Sequence, residues 1–159
     1  MHISLRSRKR LLAIIVTTVL IAAVLPIVAA QSVATSAKLL AFNVSYDGRT
    51  YDSAANQTTF AYTATGVDQR PDLSHFDIGI PSCTPALLIV GTNPTDAVSL
   101  GVDPTTGVDG IKWDLPLLTT ASRTYTITFV GNVAEGAVDV AVKADSVAIA
   151  VIVRLSVPV

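Results

Sequence analysis

The sequence predicts an all-β protein: an antiparallel β-sandwich, Ig-like or jelly-roll-like, with seven to nine short strands after an N-terminal signal helix. Three observations support this prediction. Beyond residue 30 the chain is rich in Val, Thr, Ala and Ser and contains a single Glu, so it lacks the residues that usually build surface helices. Apolar residues alternate with polar ones in steps of two rather than in a helical stripe. Turn signals recur about every ten residues, as in sandwiches and barrels.

The individual strands follow from this alternation. The clearest case is Tyr125, Ile127 and Phe129, which are separated by threonines. Strands are predicted over 40–46, 59–65, 75–80, 86–90, 98–102, 111–113, 124–129, 138–143 and 147–157. Between them, Asp47-Gly48 is a turn signal, 52–57 is a polar loop, and 103–107 (Asp-Pro-Thr-Thr-Gly) is the strongest turn cluster.

The last predicted strand differs from the others because both of its faces are apolar, apart from Arg154 and Ser156. Antiparallel sandwich strands usually keep one face in water. Such a strand must therefore be central and covered, or it must pair with something outside the domain. The sequence leaves both alternatives open, and the second would be self-assembly through Val147 to Val157.

The first thirty residues have the pattern of a secretory signal. Basic residues within 1–10 precede an apolar run over 11–30, which contains Pro26 and ends in the small residues Ala29-Ala30. A basic start, an apolar middle and a small-residue exit are typical of an export signal.

We therefore predict that residues 1–30 are a signal peptide cleaved after Ala30, leaving 31–159 as one β-sandwich domain. The protein would then be secreted or held at the cell surface. The alternative is a retained membrane anchor, because 20 apolar residues are also long enough to span a bilayer.

Charge excludes one class of partner. Of the 11 Lys and Arg residues, four lie in the signal segment, which leaves seven against 12 acidic residues, a net charge of −5 for residues 31–159. Nucleic-acid binding depends on neutralising phosphates with basic side chains. We predict no nucleic-acid partner, and membrane contact only through the N-terminal segment if it is uncleaved.

His75 is the only histidine beyond the signal segment, and it stands two residues before Asp77. On a strand the two side chains share a face, while Ser74 lies on the opposite face. A catalytic triad also needs an oriented nucleophile and an oxyanion hole, and no elbow motif is present. We interpret His75 and Asp77 as a solvated polar strand face with Phe76 and Ile78 inside, and we predict no catalytic residues.

Three acidic residues, Asp103, Asp109 and Asp114, crowd one turn region. Carboxylates suit Ca²⁺, but the spacing matches no EF-hand, and Asp before Pro or Gly is ordinary turn chemistry. No cluster of His and Cys is present for zinc. We predict no metal or cofactor, with Ca²⁺ at these three residues as the alternative.

Two further single residues have a structural and a functional interpretation. Cys83, the only cysteine, is either a small buried apolar residue or a free thiol that forms an intermolecular bridge. Trp113 shares its parity with Ile111 and Leu115, which favours a core position over a sugar-stacking platform.

Several segments resemble a family of uncharacterised secreted bacterial β-sandwich domains with the pattern SHF/W…P-C…GxDPTTGxxGIKWD. The matching residues are Ser74-His75-Phe76, Pro81-Ser82-Cys83 and the stretch 101–114. The resemblance implies an extracellular or cell-surface β-sandwich and no enzymatic activity. Domains of this family often carry a second Cys near the C-terminus, whereas 147–159 contains none.

The function expected from the sequence is therefore a non-catalytic extracellular or cell-surface module with a structural or adhesive role. Its partner would be an unknown extracellular protein or a glycan. One alternative is a secreted glycan- or protein-binding domain. The other is a hydrolase that uses His75.

Overall fold

The computed structural model describes residues 35–67, 70–81, 88–144 and 153–158, and for the last range it describes the backbone alone. The chain divides into two units, Met1–Gln31 and Ser32–Val159, and all described residues belong to the second. The predicted signal peptide, its cleavage site after Ala30, and Cys83 lie outside the described residues.

Ten strands are described, and they form two five-stranded sheets. They are β1 (Ser36–Leu39), β2 (Phe42–Asp52), β3 (Gln57–Gly66), β4 (Leu73–Gly79), β5 (Ile89–Asn93), β6 (Val98–Val102), β7 (Asp109–Trp113), β8 (Ser122–Val130), β9 (Glu135–Ala144) and β10 (Val153–Pro158). Sheet A has the order β1-β2-β3-β8-β5, and sheet B has the order β10-β9-β4-β7-β6. Every strand pairing is antiparallel. Within the described ranges there is no helix long and apolar enough to cross a bilayer.

The core lies between the two sheets and is built from the apolar positions of the alternating pattern. The Phe76 ring of β4 stacks on the Tyr125 ring of β8, with centroids 4.4 Å apart, so that sheet B contacts sheet A directly. Trp113 is fully buried against the same Tyr125, and its indole N–H donates to the carbonyl of Pro94 at 2.9 Å. Burying a large apolar side chain contributes about 1.5–3 kcal/mol. The predicted antiparallel sandwich is confirmed, and so is the core position of Trp113.

One predicted turn is a bulge instead. Asp47-Gly48 does not reverse the chain, because β2 continues through it for 11 residues. Gly48 has a φ of +129°, and the register with β3 shifts between Tyr46 and Gly48. Glycine accepts this backbone conformation without steric cost, so the extra residue is absorbed as a bulge. The chain reverses at the polar loop after Asp52, as predicted.

The C-terminal strand lies at an edge. Among the described strands, β10 pairs with β9 alone and ends sheet B on that side. Among the described strands, Val153–Pro158 therefore has an edge position rather than the central one. Residues 147–152 of the predicted strand lie outside the described residues.

Candidate functional site

The outer face of sheet B carries a cluster of charged and polar side chains. His75 and Asp77 point away from the core, as their parity predicts, while Phe76 and Ile78 point into it. The register places Asp77 opposite Lys112 of β7. However, His75 and Asp77 are only 2% and 1% exposed, so the interpretation of a solvated polar face is wrong.

The loop 103–108, between β6 and β7, contributes to this burial. The Thr106 hydroxyl donates to Asp77 Oδ2 at 2.6 Å, and Asp103 Oδ1 lies 3.7 Å from His75 Nε2. The loop therefore turns back over the sheet and reaches the neighbouring strand β4. It covers the two side chains that a strand pattern alone would place in water.

Asp103 fixes the conformation of this loop. Its Oδ1 accepts hydrogen bonds from the backbone N–H groups of Thr105 (2.7 Å) and Thr106 (2.8 Å). Its backbone N–H donates to the Val108 carbonyl at 2.9 Å, and its carbonyl accepts from Gly107, which has a φ of +74°. A carboxylate that caps the following N–H groups is ordinary turn chemistry for Asp. The predicted turn cluster is thus confirmed.

Lys112 provides positive charge inside the cluster. Its Nζ lies 2.8 Å from Asp103 Oδ2 and 3.0 Å from Asp114 Oδ1. Burial alone would raise the pKa of Asp103. The hydrogen bonds from Lys112, Thr106 and Thr105 outweigh this effect, so that the pKa of Asp103 lies well below its usual range. Asp103 is consequently an anion at neutral pH.

The imidazole of His75 sits between acidic groups without bonding to them. Nε2 is 3.5 Å from Asp77 Oδ2, and Nδ1 is 3.7 Å from Asp114 Oδ1, both too long for good hydrogen bonds. Nε2 is buried and has no hydrogen-bond partner. Burial, followed by the charge of Lys112, lowers the pKa of His75, so the ring is neutral at pH 7.

Asp77 is the second group of the cluster with an unsatisfied atom. Its Oδ2 accepts from Thr106, whereas the buried Oδ1 has no hydrogen-bond partner. Burial raises the pKa of Asp77 to about 6, and the hydrogen bond from Thr106 offsets only part of this effect. The carboxyl group therefore changes its charge near neutral pH.

The three acidic residues of the calcium alternative do not form one group. Asp103 and Asp114 are brought together on Lys112, but Asp109 is exposed at the start of β7. Instead, His75, Asp77 and Asp103 each offer a ligand atom within 4.8 Å of the others. Sequence reasoning singled out the shared face of the first two. It missed their contact with Asp103, because that contact depends on the pairing of β4 with β7.

Two other features complete the surroundings of the cluster. The hydroxyl of Ser74, which the sequence places beside His75, donates to the carbonyl of Lys143 at 3.1 Å. A shallow cavity of about 100 Å³ opens on the β6 side, where its lining includes Asp103 and Lys112. The cluster therefore borders a water-accessible space on the β6 side.

No family model, curated protein or solved structure matches this chain.

Proposed function

We propose that this chain is a non-catalytic, exported module of the cell surface with a structural or adhesive role. The observation that carries this proposal is the enclosure of the polar cluster. The reactive side chains gathered by β4, β7 and the loop 103–108 are used to hold that loop on the sheet. Catalysis would require them to face a substrate.

The burial of His75 favours the non-catalytic proposal over the hydrolase alternative. A general base must come within hydrogen-bond distance of the proton that it removes, about 2.6–3.2 Å, in a plausible substrate pose. His75 is 2% exposed, and Asp103 Oδ1 lies 3.7 Å from its Nε2. The adjoining cavity of about 100 Å³ is much smaller than a typical ligand pocket of roughly 300–1,000 Å³.

A module of this kind acts through its surface, and the edges of sheet B favour association with another chain. Leu100 and Val102 of β6 are 56% and 62% exposed. On one side β6 pairs with the inner strand β7, and on the other side it pairs with no described strand. Exposed apolar edge strands offer both apolar contact and unpaired backbone groups to a neighbouring strand.

The two edges of sheet B differ from one another, and this determines the geometry of association. One edge is β6 and the other is β10. Pairing β6 of one copy with β10 of the next would be a head-to-tail contact, and such contacts produce open filaments when they do not close into a ring. Self-association of this type suits a surface layer or fibre, and it develops the predicted assembly through the C-terminal strand.

Of the two binding alternatives, a protein partner is better supported than a glycan. Sugar binding through Trp113 would need an exposed indole, and this side chain is fully buried. The exposed large apolar residues beside the 103–108 loop, Leu100 and Val102, are aliphatic, which suits contact with a protein strand.

Association of the purified full chain can be tested by sedimentation velocity over a range of concentrations. We expect oligomers in the wild type and a shift to monomer in the double substitution Leu100→Lys and Val102→Lys, because a charged edge strand resists pairing. Val130→Lys is the matched control, since Val130 is also exposed, at 40%, but ends β8 inside sheet A.

A monomeric wild type at high concentration would exclude self-association. Undiminished assembly of the double variant would exclude β6 as the interface. Discovery of a hydrolytic activity that His75→Ala abolishes, with the fold retained, would overturn the non-catalytic proposal itself.

A further inference from the structure

The polar cluster on sheet B contains buried polar atoms that have no hydrogen-bond partner. We propose that His75, Asp77 and Asp103 form a binding site for one first-row divalent metal ion, with Zn²⁺ as the best-fitting ion. None of the three ligands belongs to the association edge proposed above, although β6 also lines the adjoining cavity. It would add a metal to a chain whose sequence predicts none.

The spacing of the three side chains fits such an ion. Zn²⁺ binds His nitrogen and carboxylate oxygen at about 2.0–2.2 Å in tetrahedral geometry, which places neighbouring ligand atoms about 3.3–3.6 Å apart. His75 Nε2 lies 3.5 Å from Asp77 Oδ2 and 3.7 Å from Asp103 Oδ1. These separations are too long for hydrogen bonds and close to those of two ligands of a shared metal ion.

The unsatisfied atoms of the cluster point independently to a ligand. His75 Nε2 and Asp77 Oδ1 are buried and have no hydrogen-bond partner. Buried polar atoms are nearly always paired, and an unmet one is costly. An ion held between His75 Nε2, Asp77 Oδ2 and Asp103 Oδ1 would give the buried imidazole nitrogen the partner that it lacks.

The charge balance also favours a dication. The ammonium group of Lys112 contacts Asp103 and Asp114, and its charge also acts on Asp77, so three carboxyl groups lie around one nearby cation. Lys143, opposite His75 in the neighbouring strand, adds a more distant positive charge. Lys112 contacts Oδ2 of Asp103, whereas Oδ1 faces the imidazole, so the metal and the ammonium would use different oxygens.

The donor set selects among ions. Ca²⁺ takes six to eight oxygen ligands, and Mg²⁺ is bound by oxygens and water. A nitrogen ligand combined with two carboxylates suits a transition ion such as Zn²⁺. The cavity lined by Asp103 and Lys112 gives the ion a route inward and leaves room for a water ligand.

Zinc binding can be tested on the full chain carrying His2→Gln, which leaves His75 as its single histidine. We expect Zn²⁺, titrated at neutral pH, to bind with a 1:1 stoichiometry in calorimetry. The ¹⁵N NMR signal of imidazole Nε2 should shift on binding, with Nδ1 remaining protonated. Ca²⁺ should produce neither effect. An unchanged imidazole spectrum at millimolar Zn²⁺ would overturn the proposal, without any bearing on assembly.

Substitutions then locate the site. Asp77→Asn should weaken Zn²⁺ affinity at least tenfold, whereas Asp109→Asn, at an exposed carboxylate of the same region, should leave it unchanged. Lys112→Met removes a nearby positive charge and should tighten Zn²⁺ binding several-fold. If the cluster has only a structural role, the same substitution would lower stability without any gain in Zn²⁺ affinity. Equal losses in the Asp77 and Asp109 variants, or no tightening in a folded Lys112 variant, would contradict the site.

Discussion

The outer faces of the two sheets begin from the same sequence pattern and end in different environments. On sheet A, threonines that alternate with core residues form hydroxyl pairs across β3 and β8, such as Thr59 with Thr128 and Thr63 with Thr124, each at 2.9 Å. These pairs stay partly in water. On sheet B, the equivalent positions of β4 hold His75 and Asp77, which are enclosed.

The difference arises from whether a connecting loop crosses the outer face of the sheet. In sheet A, β2 and β3 are joined by a short polar turn that stays at the end of the sheet. In sheet B, the loop 103–108 of the β6–β7 hairpin folds over the face and bonds to Asp77. Alternation thus predicts which side chains point away from the core. Whether an outward-pointing side chain is exposed to solvent depends on whether a loop covers it. Four substitutions test this comparison.

The largest effect is expected at Gly110, which lies beneath the enclosed face. A Cβ at this position would overlap the carbonyl of Ile78 on β4. Gly110→Ala should lower the free energy of unfolding by about 4 kcal/mol, because backbone atoms must separate to admit it. The control is Gly91→Ala on sheet A, where the nearest atom is a side-chain carbon of Thr128 at 3.8 Å. Urea unfolding of both variants measures the difference, and equal effects would refute the close approach of β4 and β7.

Removing the anchor of the loop should have the next largest effect. Asp103→Ala deletes the acceptor of two backbone N–H groups and the buried partner of Lys112. We expect a loss of about 3 kcal/mol in unfolding free energy, since a buried ion pair is broken from one side. Asp109→Ala should cost less than about 0.5 kcal/mol, as for most exposed substitutions. Chemical denaturation is the measurement, and a small effect at Asp103 would mean that the loop does not seal the face.

A matched pair of threonines compares the two faces most directly. Thr106→Val removes a buried hydrogen bond to Asp77, and we expect it to cost about 1–2 kcal/mol. Thr59→Val removes one hydroxyl from the partly exposed ladder of sheet A, and we expect about 0.5 kcal/mol. Valine keeps the shape of threonine in both. Thermal unfolding of the two variants should rank them in this order, and the reverse order would break the comparison.

The smallest effect is expected at Tyr62, whose buried hydroxyl on the inner side of sheet A has no hydrogen-bond partner. Tyr62→Phe should change the unfolding free energy at pH 7 by less than about 0.5 kcal/mol, because no bond is lost. Burial raises the pKa of Tyr62 above its usual range. The folded state therefore keeps this proton, while the unfolded chain loses it near the usual value of 10.0.

The sign of the alkaline effect follows. The contribution of the Tyr62 proton to stability is complete below pH 10 and disappears as the pH rises further. Compared with the wild type, Tyr62→Phe should lose less stability between pH 7 and about pH 11. Denaturant unfolding at both pH values measures this difference. Identical losses in the two proteins would show that the pKa of Tyr62 is the same in the folded and the unfolded state.

The sequence predicts the sandwich well because burial on one face leaves a period-two signal. Phe60, Tyr62 and Tyr125 are buried where that signal places them, and Trp113 follows the parity of Ile111. The edge position of β10 could not be obtained in the same way. A strand apolar on both faces is compatible with a central or an edge position, and only the strand order distinguishes them.

The polar cluster was only partly predictable for the same reason. The shared face of His75 and Asp77 and the tight turn at Asp103 are local features, and both were predicted. Their meeting with Lys112 depends on the register of β4 against β7, which pairs residues about 35 positions apart. Single-chain patterns contain no information about which strands become neighbours, so burial of these groups was interpreted incorrectly as solvent exposure.

The strand order also constrains the sequence of events during folding. The hairpins β2–β3 and β6–β7 join neighbours along the chain, whereas the contacts between Thr58 and Gly131 and between Ser74 and Lys143 connect residues 73 and 69 positions apart. Long-range pairings carry a large loop-closure cost, and topologies dominated by them fold in milliseconds to seconds. The β6–β7 hairpin, with its Asp103 turn, can form early by itself. The loop of this hairpin can contact Asp77 only after β4 has paired with β7. Burial of the polar face therefore occurs late in folding, when distant parts of the chain come together.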